Sequence, residues 1–478
     1  MYLYRSNRVE TLAACLAELC REPLASPLSR ECIVVQSKGM ATWLTMRLAD
    51  SFGVWANPDF PHPRQLIERL LVVTLGERAA LAADWNRDRL TLAILEELPA
   101  LLAQPEFSPI ARYFATGRDD CKQLQLAERI AQVFDQYAVF RPDMVLEWEA
   151  GANTAPGQDE GWQPFLWRAI AARLVSPARL YQEAFASLQE GRLLQRASLP
   201  ERLFLFGITT LPPVYLSLLA ELAQHLPVHL LLFAPTEEYW GETASAAAAG
   251  RLLRRTAGST AELHLAAGHP LLASLGTLGR DFQVLLEERV AAMADHSLFT
   301  AHETPRTLLH LVQDDILKLR HRHPRATEAE CAPMMLDAAD DSLVIHCCHS
   351  PLREVEVLQD QLLAMFDREG LAPRDIAVMV PDIETYAPFI EAVFGRDPAD
   401  PRFLPFRIAD RGLGREAPLV EAFFSLLALL PGRLAAPQVL DFLGVAPVRE
   451  HFAIAAEELA ALLLRPTPLG SREGIDAA

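Results

Sequence analysis

Residues 31–44, ECIVVQSKGMATWL, carry the pattern of a buried strand that turns directly into a helix. The apolar run Ile33–Val35 predicts a short strand, and Ser37 with Gly39 predicts the turn. From Met40 onward, apolar residues recur at helical spacing. In an open α/β sheet such a turn lies at the carboxyl edge, where ligands usually bind. The segment therefore predicts an α/β fold with a turn in the position of a nucleotide-binding loop.

A phosphate-binding loop requires Gly-Lys followed by Ser or Thr, because the lysine reaches the outer phosphates and the hydroxyl holds magnesium. The sequence contains three lysines, Lys38, Lys122 and Lys318, in the contexts SKGM, CKQL and LKLR. None of these contexts has the required order. The sequence therefore predicts that this chain does not hydrolyse ATP by phosphate-loop chemistry.

Composition bounds the class of protein. With 478 residues, 51% of them hydrophobic, the chain can form two or three domains. The formal net charge of −18 argues against a freestanding DNA-coating protein, which needs broad basic surfaces, but permits a locally basic channel. The seven cysteines include no C-x-x-C pair, and the amino terminus lacks the apolar core of a signal peptide. We expect a soluble, cytoplasmic protein.

The first half of the chain combines strand patterns with a long helical tract. Leu3-Tyr4 predicts a first strand, and a helix follows through Cys20. Strand patterns return at Leu203–Phe206 and Val228–Phe233. A helical insertion at about residues 62–200, between strands of one sheet, explains this order. Helical spacing occurs at Arg64–Leu75, Asn86–Leu102, Gln123–Tyr137, Trp162–Leu174 and Leu180–Glu190.

A second domain is expected after a linker. Residues 235–270 contain a tract of alanines, and residues 321–341 mix Pro, His, Arg and acidic residues without periodicity, so both predict loops. We place the first domain at 1–330, the linker at 331–341 and the second domain at 342–478. The second domain opens with a predicted strand, helix, strand and helix, at Leu343–Cys347, Pro351–Phe366, Ile376–Val380 and Tyr386–Phe394.

Two groups in the second domain suggest metal chemistry and have simpler explanations. Asp382 and Glu384 in PDIET partly match a nuclease pattern, but no lysine follows them, and a helix start needs a cap. His346 and His349 flank two cysteines. Because successive strand residues point to opposite faces, we expect one buried face and one polar face there rather than a metal site.

Eight short motifs occur in collinear order through nearly the whole chain. They are SNR at Ser6–Arg8, VQSKGMATWL at Val35–Leu44, NPDFPHP at Asn57–Pro63, FDQYAVFRPD at Phe134–Asp143, FGITTLPPVYL at Phe206–Leu216, HPLLASLGTLGRD at His269–Asp281, CHSPLREVEVL at Cys348–Leu358 and DIAVMVPDIETYAPFIEAVFG at Asp375–Gly395. These motifs resemble the RecC family, the gamma chain of exodeoxyribonuclease V (RecBCD), of which the chain covers the amino-terminal part.

The resemblance implies a superfamily-1 helicase-like fold, with a parallel sheet of the phosphate-loop type, that has lost its motor. It implies a helical insertion in the first domain and part of a second helicase-like domain. RecC-like chains form a heterotrimer with RecB-like and RecD-like subunits, which use ATP and magnesium. No cofactor, metal or catalytic residue is therefore expected in this chain. The implied role is in double-strand break repair by homologous recombination, through binding of duplex ends, strand separation and recognition of Chi in the 3′-ended strand.

The resemblance also implies a surface that scans single-stranded DNA for Chi. The matching positions in this sequence are Gln36, Asp135, Gln136 and Arg141. An amide such as that of Gln36 offers both donors and an acceptor to a base edge. Lys38, at a helix start, is suited to a DNA phosphate.

Each of these side chains has a second interpretation. Gln36 can satisfy backbone groups at the strand end, and Lys38 can be a solvated surface residue. Arg141 can pair with Asp135 instead of contacting DNA. Trp43 has the helical spacing of a core residue, which we favour over a stacking platform for bases.

Two other functions remain open from the sequence. One is an AddB-like helicase–nuclease subunit with its own ATPase, which the lysine contexts disfavour. The other is an unrelated α/β metabolic enzyme that binds a small ligand near Gln36, although no nucleophile and base pair is visible. Arg251, Arg254, Arg255 and the run Lys318–Arg325 can follow a DNA backbone or form solvated faces.

Overall fold

The computed structural model describes residues 1–115, 120–154, 157, 160–241, 269–290, 294–303, 306–322, 333–367, 371–409, 418–430, 434–455 and 458–459. The chain divides into two compact units, Met1–Leu343 and Val344–Ala478, each described by itself below. Arg251, Arg254, Arg255 and most of the predicted loop at 235–270 lie outside the described residues. In the part of the chain that is described, no helix is both long enough and apolar enough to cross a membrane.

A parallel sheet forms the centre of the first unit, as the sequence predicts. Its strands lie in the order β2-β3-β4-β1-β5, and every pairing between neighbours is parallel. The α/β class is therefore confirmed. The strands are β1 (Tyr2–Ser6), β2 (Cys32–Val34), β3 (Leu203–Phe206), β4 (Val228–Phe233) and β5 (Ala294–Ser297).

Helices flank the sheet and fill the interval between β2 and β3. Because β2 and β3 are neighbours in the sheet, the helices at residues 63–189 form an insertion between two adjacent strands. The helices of this unit are α1 (Val9–Cys20), α2 (Lys38–Phe52), α3 (Pro63–Leu75), α4 (Arg87–Leu101), α5 (Ser108–Ala115), α6 (Asp120–Phe140), α7 (Pro142–Glu149), α8 (Gln163–Ala171), α9 (Pro177–Gln189), α10 (Pro213–Leu222), α11 (Pro270–Leu275), α12 (Thr277–Arg289) and α13 (Leu308–Leu317).

Successive strand residues pack on opposite faces of the sheet, as strand geometry requires. On one face, Ile33 and Phe204 pack in a core with residues of α1 and α2. On the other face, Val34 and Leu205 pack with residues of α3, α9 and α10. The insertion has a core of its own around the fully buried Trp167. Burial of each large apolar side chain contributes roughly 1.5–3 kcal/mol, so these three cores hold the unit together.

The outer edge of β2 is covered by its own chain. Ile33 N donates to the carbonyl of Asp59 at 2.9 Å, and Val35 N donates to that of Pro61 at 3.2 Å. Edge strands otherwise leave such groups unpaired. These bonds also fix the start of α3, at Pro63, beside the carboxyl end of β2.

The turn after β2 follows an outermost strand of the sheet, not a central one. In open sheets, ligand crevices form where the strand order reverses, and here that point is beside β1, which lies between β4 and β5. The turn over this central position is Ser6–Arg8. The expectation that the Ser37–Gly39 turn takes the position of a nucleotide loop is therefore wrong, although α2 does begin directly after β2.

Helices are the regular secondary structure described below for the second unit, and they are joined by segments without regular structure. They are α14 (Pro351–Phe366), α15 (Ile383–Phe394), α16 (Pro418–Leu429), α17 (Ala436–Gly444) and α18 (Ala446–His451). Two of them begin at side-chain caps, since Ser350 Oγ accepts from Arg353 N at 3.3 Å and Asp382 Oδ1 accepts from Glu384 N at 3.1 Å. The prediction that Asp382 caps a helix is confirmed.

The predicted strands Leu343–Cys347 and Ile376–Val380 are wrong. Both segments are described, and neither has strand pairing. An apolar segment becomes a strand only where a neighbour supplies ladder hydrogen bonds. Most side chains of the two segments are instead exposed to solvent, Ile345 to 83% and Met379 to 91%. The predicted buried face beside His346 is therefore also wrong.

Part of the predicted linker is anchored to the first unit. Asp340 Oδ2 accepts from Leu308 N at 2.6 Å, and Ser342 Oγ accepts from Leu309 N at 3.1 Å. These bonds satisfy free N–H groups in the first turn of α13. In the basic run after α13, Arg322 forms a bidentate pair with buried Asp315, at 2.6 and 2.9 Å, so this arginine has a structural role.

Candidate nucleic-acid interface

The turn between β2 and α2 presents two polar side chains to solvent. Ser37 adopts an extended backbone, and its Oγ accepts from Met40 N at 3.1 Å, which caps α2. Gln36 and Lys38 on either side of the cap are exposed. No described residue forms a hydrogen bond or ion pair with either side chain. The Gln36 amide and the Lys38 amine are therefore available to a ligand.

The loop after β3 approaches this turn. Gly207 has φ = +63°, a conformation that favours glycine, and a Cβ there would lie 3.9 Å from Met40 Cε in the first turn of α2. Thr209 and Thr210, which follow, are exposed. The hydroxyls of this loop and the polar groups of the β2 turn therefore share the carboxyl edge of the sheet.

Trp43 belongs mainly to the core beneath this edge. Its ring centroid lies 6.3 Å from that of Phe206, and it packs with the apolar residues between α1, α2 and the sheet. The guanidinium of exposed Arg47 lies 5.6 Å from the Trp43 ring, within cation–π distance. The ring is thus partly covered on the solvent side, which disfavours its use as a free stacking platform.

Asp135 lies on α6 at the border between the insertion and α3. It lines a cavity of about 410 Å³, together with Arg64, Glu68, Tyr181 and Tyr215. Burial raises the pKa of the Asp135 carboxyl above its ordinary value, and the positive charge of Arg64 opposes this shift. Arg64 Nε also donates to Glu68 Oε1 at 3.1 Å, one helical turn away. We call this space the Asp135 cavity.

Two tyrosines border the Asp135 cavity. The rings of Tyr181 and Tyr215 meet edge to face with centroids 5.9 Å apart. Burial is the largest cause that raises the pKa of each phenol, so both stay protonated at neutral pH. They contribute neutral, fixed polar groups to the cavity.

Arg141 and Gln136 lie at the carboxyl end of α6. Arg141 N donates to the carbonyl of Tyr137 at 2.9 Å, and Arg141 then leads into α7. Both side chains are exposed. The positive charge of Arg141 lowers the pKa of the Tyr137 phenol, against the larger effect of burial. The alternative pairing of Arg141 with Asp135 is wrong, because the cation beside Asp135 is Arg64.

The predicted site residues form two groups. Gln36 and Lys38 share one turn, whereas Asp135 and Gln136 lie near the carboxyl end of α6 and Arg141 directly follows this helix. No hydrogen bond or ion pair among the described residues joins the groups. Both border α3, since β2 leads through the Asp59 segment to its first turn and Asp135 faces Arg64. Sequence reasoning missed Arg64, for which the sequence offers no signal.

Within the described residues, no group of three or more His, Cys, Asp or Glu side chains is placed to hold a metal ion. The free polar groups of the interface are instead an amide, an amine and a guanidinium. These are groups that bind phosphates and base edges.

Fold and site together define a parallel α/β protein in which an exposed polar turn at the sheet edge lacks the Gly-Lys-Ser/Thr of a phosphate loop. The family model described as the RecC N-terminal domain matches residues 1–319, which is more than half of the chain. The model described as the RecBCD enzyme subunit RecC fourth domain matches residues 416–478. The chain belongs to the RecC family.

Curated relatives agree with this assignment. The chain is 38% identical over 509 residues to the RecBCD enzyme subunit RecC of Escherichia coli strain K12, covering 99% of this chain and 45% of the relative. It is 30% identical to the protein of that name from Haemophilus influenzae, covering 99% of this chain and 46% of the relative. For Mycolicibacterium smegmatis the identity is 34%, with 100% and 43% covered. The chain thus spans less than half the length of these relatives.

Proposed function

We propose that this chain acts as a non-motor, DNA-handling and scaffold subunit of a RecBCD-type helicase–nuclease in the cytoplasm. RecB-like and RecD-like subunits are its partners and supply the ATP- and magnesium-dependent steps. The role of this chain is to bind duplex DNA ends, separate the strands and recognise Chi in the 3′-ended strand during double-strand break repair. The observation that carries this proposal is the RecC family match over residues 1–319.

The fold supports a helicase-like ancestry without a motor. A parallel sheet with a polar carboxyl edge is the framework on which nucleotide loops are built. No Gly-Lys-Ser/Thr occurs anywhere in the sequence. A subunit of this kind contributes binding surfaces, and its partners contribute the chemistry.

The exposed polar groups support DNA scanning. The Gln36 amide can read a base edge with its donors and acceptor. Lys38, in the first turn of α2, adds a positive charge where free backbone N–H groups already favour an anion. Arg141 and Gln136 offer a second set of exposed groups, and Asp135 provides an acceptor at the mouth of its cavity.

Assembly of the chain with a RecB-like helicase–nuclease subunit is tested by co-expression with a tagged form of that subunit, followed by affinity capture. We expect retention at one-to-one stoichiometry. The same capture with a tagged, unrelated ATPase is the control for nonspecific retention.

A second capture uses the chain extended by the carboxyl-terminal sequence of a longer relative. Retention of the extended chain alone would locate the partner surface outside these residues and limit the proposal to DNA handling. Loss of the partner in both experiments would overturn the assembly proposed here.

A further inference from the structure

A second cavity lies at the amino ends of β2 and β3, at the edge of the sheet opposite the Gln36 turn. Cys32 and Leu203, the first residues of these two strands, line it. Its volume of about 340 Å³ lies within the roughly 300–1,000 Å³ typical of small-ligand sites. We call this space the amino-edge cavity.

One wall of the amino-edge cavity is apolar. Leu66, Leu70 and Val73 recur at helical spacing along α3 and are buried, as is Leu222 of α10. These side chains offer a ligand dispersion contacts and removal from water, but no hydrogen bonds. The wall therefore suits the aliphatic or aromatic body of a small molecule.

A fixed ion pair forms part of the polar side of the cavity. Asp59 is held against β2, because its N donates to the carbonyl of Glu31 at 3.0 Å and its carbonyl accepts from Ile33 N at 2.9 Å. Both carboxylate oxygens of Asp59 accept from Arg69, with Nη2 at 3.2 Å from Oδ1. This pairing uses two of the five N–H donors of the guanidinium. Arg69 is thus a positioned group that keeps donors for a ligand.

Arg30 adds a free cation to the lining. Its side chain is exposed, and no hydrogen bond or ion pair joins it to any described residue. The hydroxyls of Ser29 and Ser198, which also line the cavity, have no hydrogen-bond partner among the described residues. A guanidinium and two hydroxyls are therefore available to a ligand.

The charged acceptors of the lining are largely engaged within the protein. Asp59 is occupied by Arg69, and Glu201 Oε2 accepts from Ala25 N at 2.9 Å. The charged groups of the cavity thus offer more free donors than free acceptors. This imbalance favours a ligand whose polar end consists of acceptor oxygens.

We propose that the amino-edge cavity binds a small carboxylate with an apolar body. The donor fork of arginine matches the two oxygens of a carboxylate. Arg30 and Arg69 are balanced by Asp59 and Glu201, so the lining is neutral overall and favours a single negative charge over the two of a phosphate ester. This inference goes beyond the proposed function and does not depend on DNA. A free carboxylic acid and the carboxyl terminus of a peptide present the same group, and the test separates these two sources.

Isothermal titration calorimetry of the full chain tests the ligand class. The probe is 3-phenylpropionate, and 3-phenylpropan-1-ol keeps its apolar body without the charge. We expect one site with a dissociation constant of about 1 mM or lower for the carboxylate, and binding about tenfold or more weaker for the alcohol and for phenyl phosphate. The peptide source is probed with acetyl-Gly-Gly-Leu and with its carboxyl-terminal amide.

Substitutions at Arg30 locate the site. Arg30→Ala removes a free, exposed guanidinium and should weaken binding of 3-phenylpropionate about fivefold or more, whereas Arg30→Lys keeps the charge without the fork and should lie between. The matched control is Arg87→Ala, because Arg87 is also exposed, has no described side-chain partner and does not line the cavity. It should bind as the wild type does. Circular dichroism checks that each variant is folded.

The outcomes separate the sources and can overturn the site. Binding of 3-phenylpropionate but not of the peptide would assign the cavity to a free carboxylic acid, and the reverse would assign it to a polypeptide carboxyl terminus. Binding of both would support recognition of the carboxylate and its apolar body from either source. If neither carboxylate binds, or if phenyl phosphate binds more tightly, the proposal is wrong. Equal affinities of Arg30→Ala and Arg87→Ala would also overturn it.

Discussion

Arg202 and Glu31 form an almost fully buried ion pair that joins the entrances of β3 and β2. Arg202 Nε donates to Glu31 Oε2 at 3.1 Å, and the two side chains are 10% and 12% exposed. The same guanidinium donates to the carbonyls of Leu19 at 3.1 Å and Glu22 at 2.7 Å. The Arg202 side chain thus connects the end of α1 to β2 and β3. The whole helical insertion lies between these two strands in the sequence.

Arg202→Ala should destabilise the protein by about 3 kcal/mol, because removal of one partner leaves the Glu31 carboxylate buried without its countercharge. Urea denaturation followed by circular dichroism measures this loss. The control is Arg21→Ala, since the Arg21–Glu18 pair is 65% and 66% exposed and should contribute at most about 1 kcal/mol. Equal effects of the two substitutions would contradict the structural role of Arg202.

His229 should make the folded state sensitive to acid. It is stacked between Tyr2 and Phe204, with centroids 4.9 and 5.0 Å away. Burial, then the charges of Arg202 and the amino terminus, lowers the pKa of His229 from 6.5 to about 4. The neutral form is therefore favoured in the folded state, and stability present above pH 6.5 is lost as the pH falls towards 4.

His229→Phe should remove this acid sensitivity and keep the stack. The free energy of unfolding should fall more in the wild type than in the variant between pH 6.5 and 4. After solvent screening is allowed for, we expect this extra loss to be of the order of 1–2 kcal/mol. Urea midpoints measured at several pH values test it. His346→Phe, at an exposed histidine, is the control and should follow the wild-type curve. If the urea midpoints of all three proteins changed with pH in the same way, the acid sensitivity would not come from His229.

Most of the first unit could be predicted because its elements carry local signals. The bounds of β3 and β4 match their apolar runs, and helical spacing located α3, α4, α6, α8 and α9 within a few residues. β5 could not be predicted, because its residues ADHS are all exposed and have no apolar pattern. It is a strand only because β1 offers its edge as a template. The segment at 343–347 fails in the opposite way, since it has the pattern and no partner strand.

The candidate site was less predictable than the fold. Gln36 and Lys38 could be found because a strand, a turn and a helix follow one another in sequence. The Asp135 cavity could not, since Arg64, Asp135, Tyr181 and Tyr215 come from four helices and are joined only by packing. Charge pattern alone suggested a pair between Arg141 and Asp135, and tertiary structure supplies Arg64 instead.

Ser37→Ala should loosen the first turn of α2. The hydroxyl of Ser37 accepts from Met40 N, and loss of an N-cap typically costs about 1 kcal/mol. The loss of order should also weaken binding of single-stranded DNA, because Lys38 lies in that turn. Ser37→Asn retains a capping oxygen without adding charge, so it should restore both stability and binding. If Ser37→Asn lowers stability and DNA binding as much as Ser37→Ala does, loss of the helix cap is not the cause of these effects.

Cys32 should resist alkylation in the folded protein. It lies in β2, is 4% exposed, and burial with the nearby charge of Asp59 raises the pKa of its thiol to about 12. The thiolate, which is the reactive form, is therefore scarce at neutral pH. Exposed Cys121 and Cys347 are internal controls and should react with iodoacetamide within the same sample. Mass spectrometry should find Cys32 labelled only after denaturation; rapid labelling without it would show that the Asp59 segment does not cover β2.

Gln36→Ala and Arg141→Ala should alter the response to Chi without stopping unwinding, when each is placed in the full-length subunit within its complex. Both side chains are exposed, so neither truncation removes core packing. Loss of a base-reading hydrogen bond costs about 1–3 kcal/mol of discrimination, which corresponds to a fivefold or greater loss of recognition. Helicase assays on DNA with and without Chi measure both properties. The control is Arg21→Ala, an exposed arginine at the far end of α1. A failure of unwinding in the Gln36 or Arg141 variants would instead mean that the residue supports the structure, and an unchanged Chi response would remove it from the proposed scanning surface.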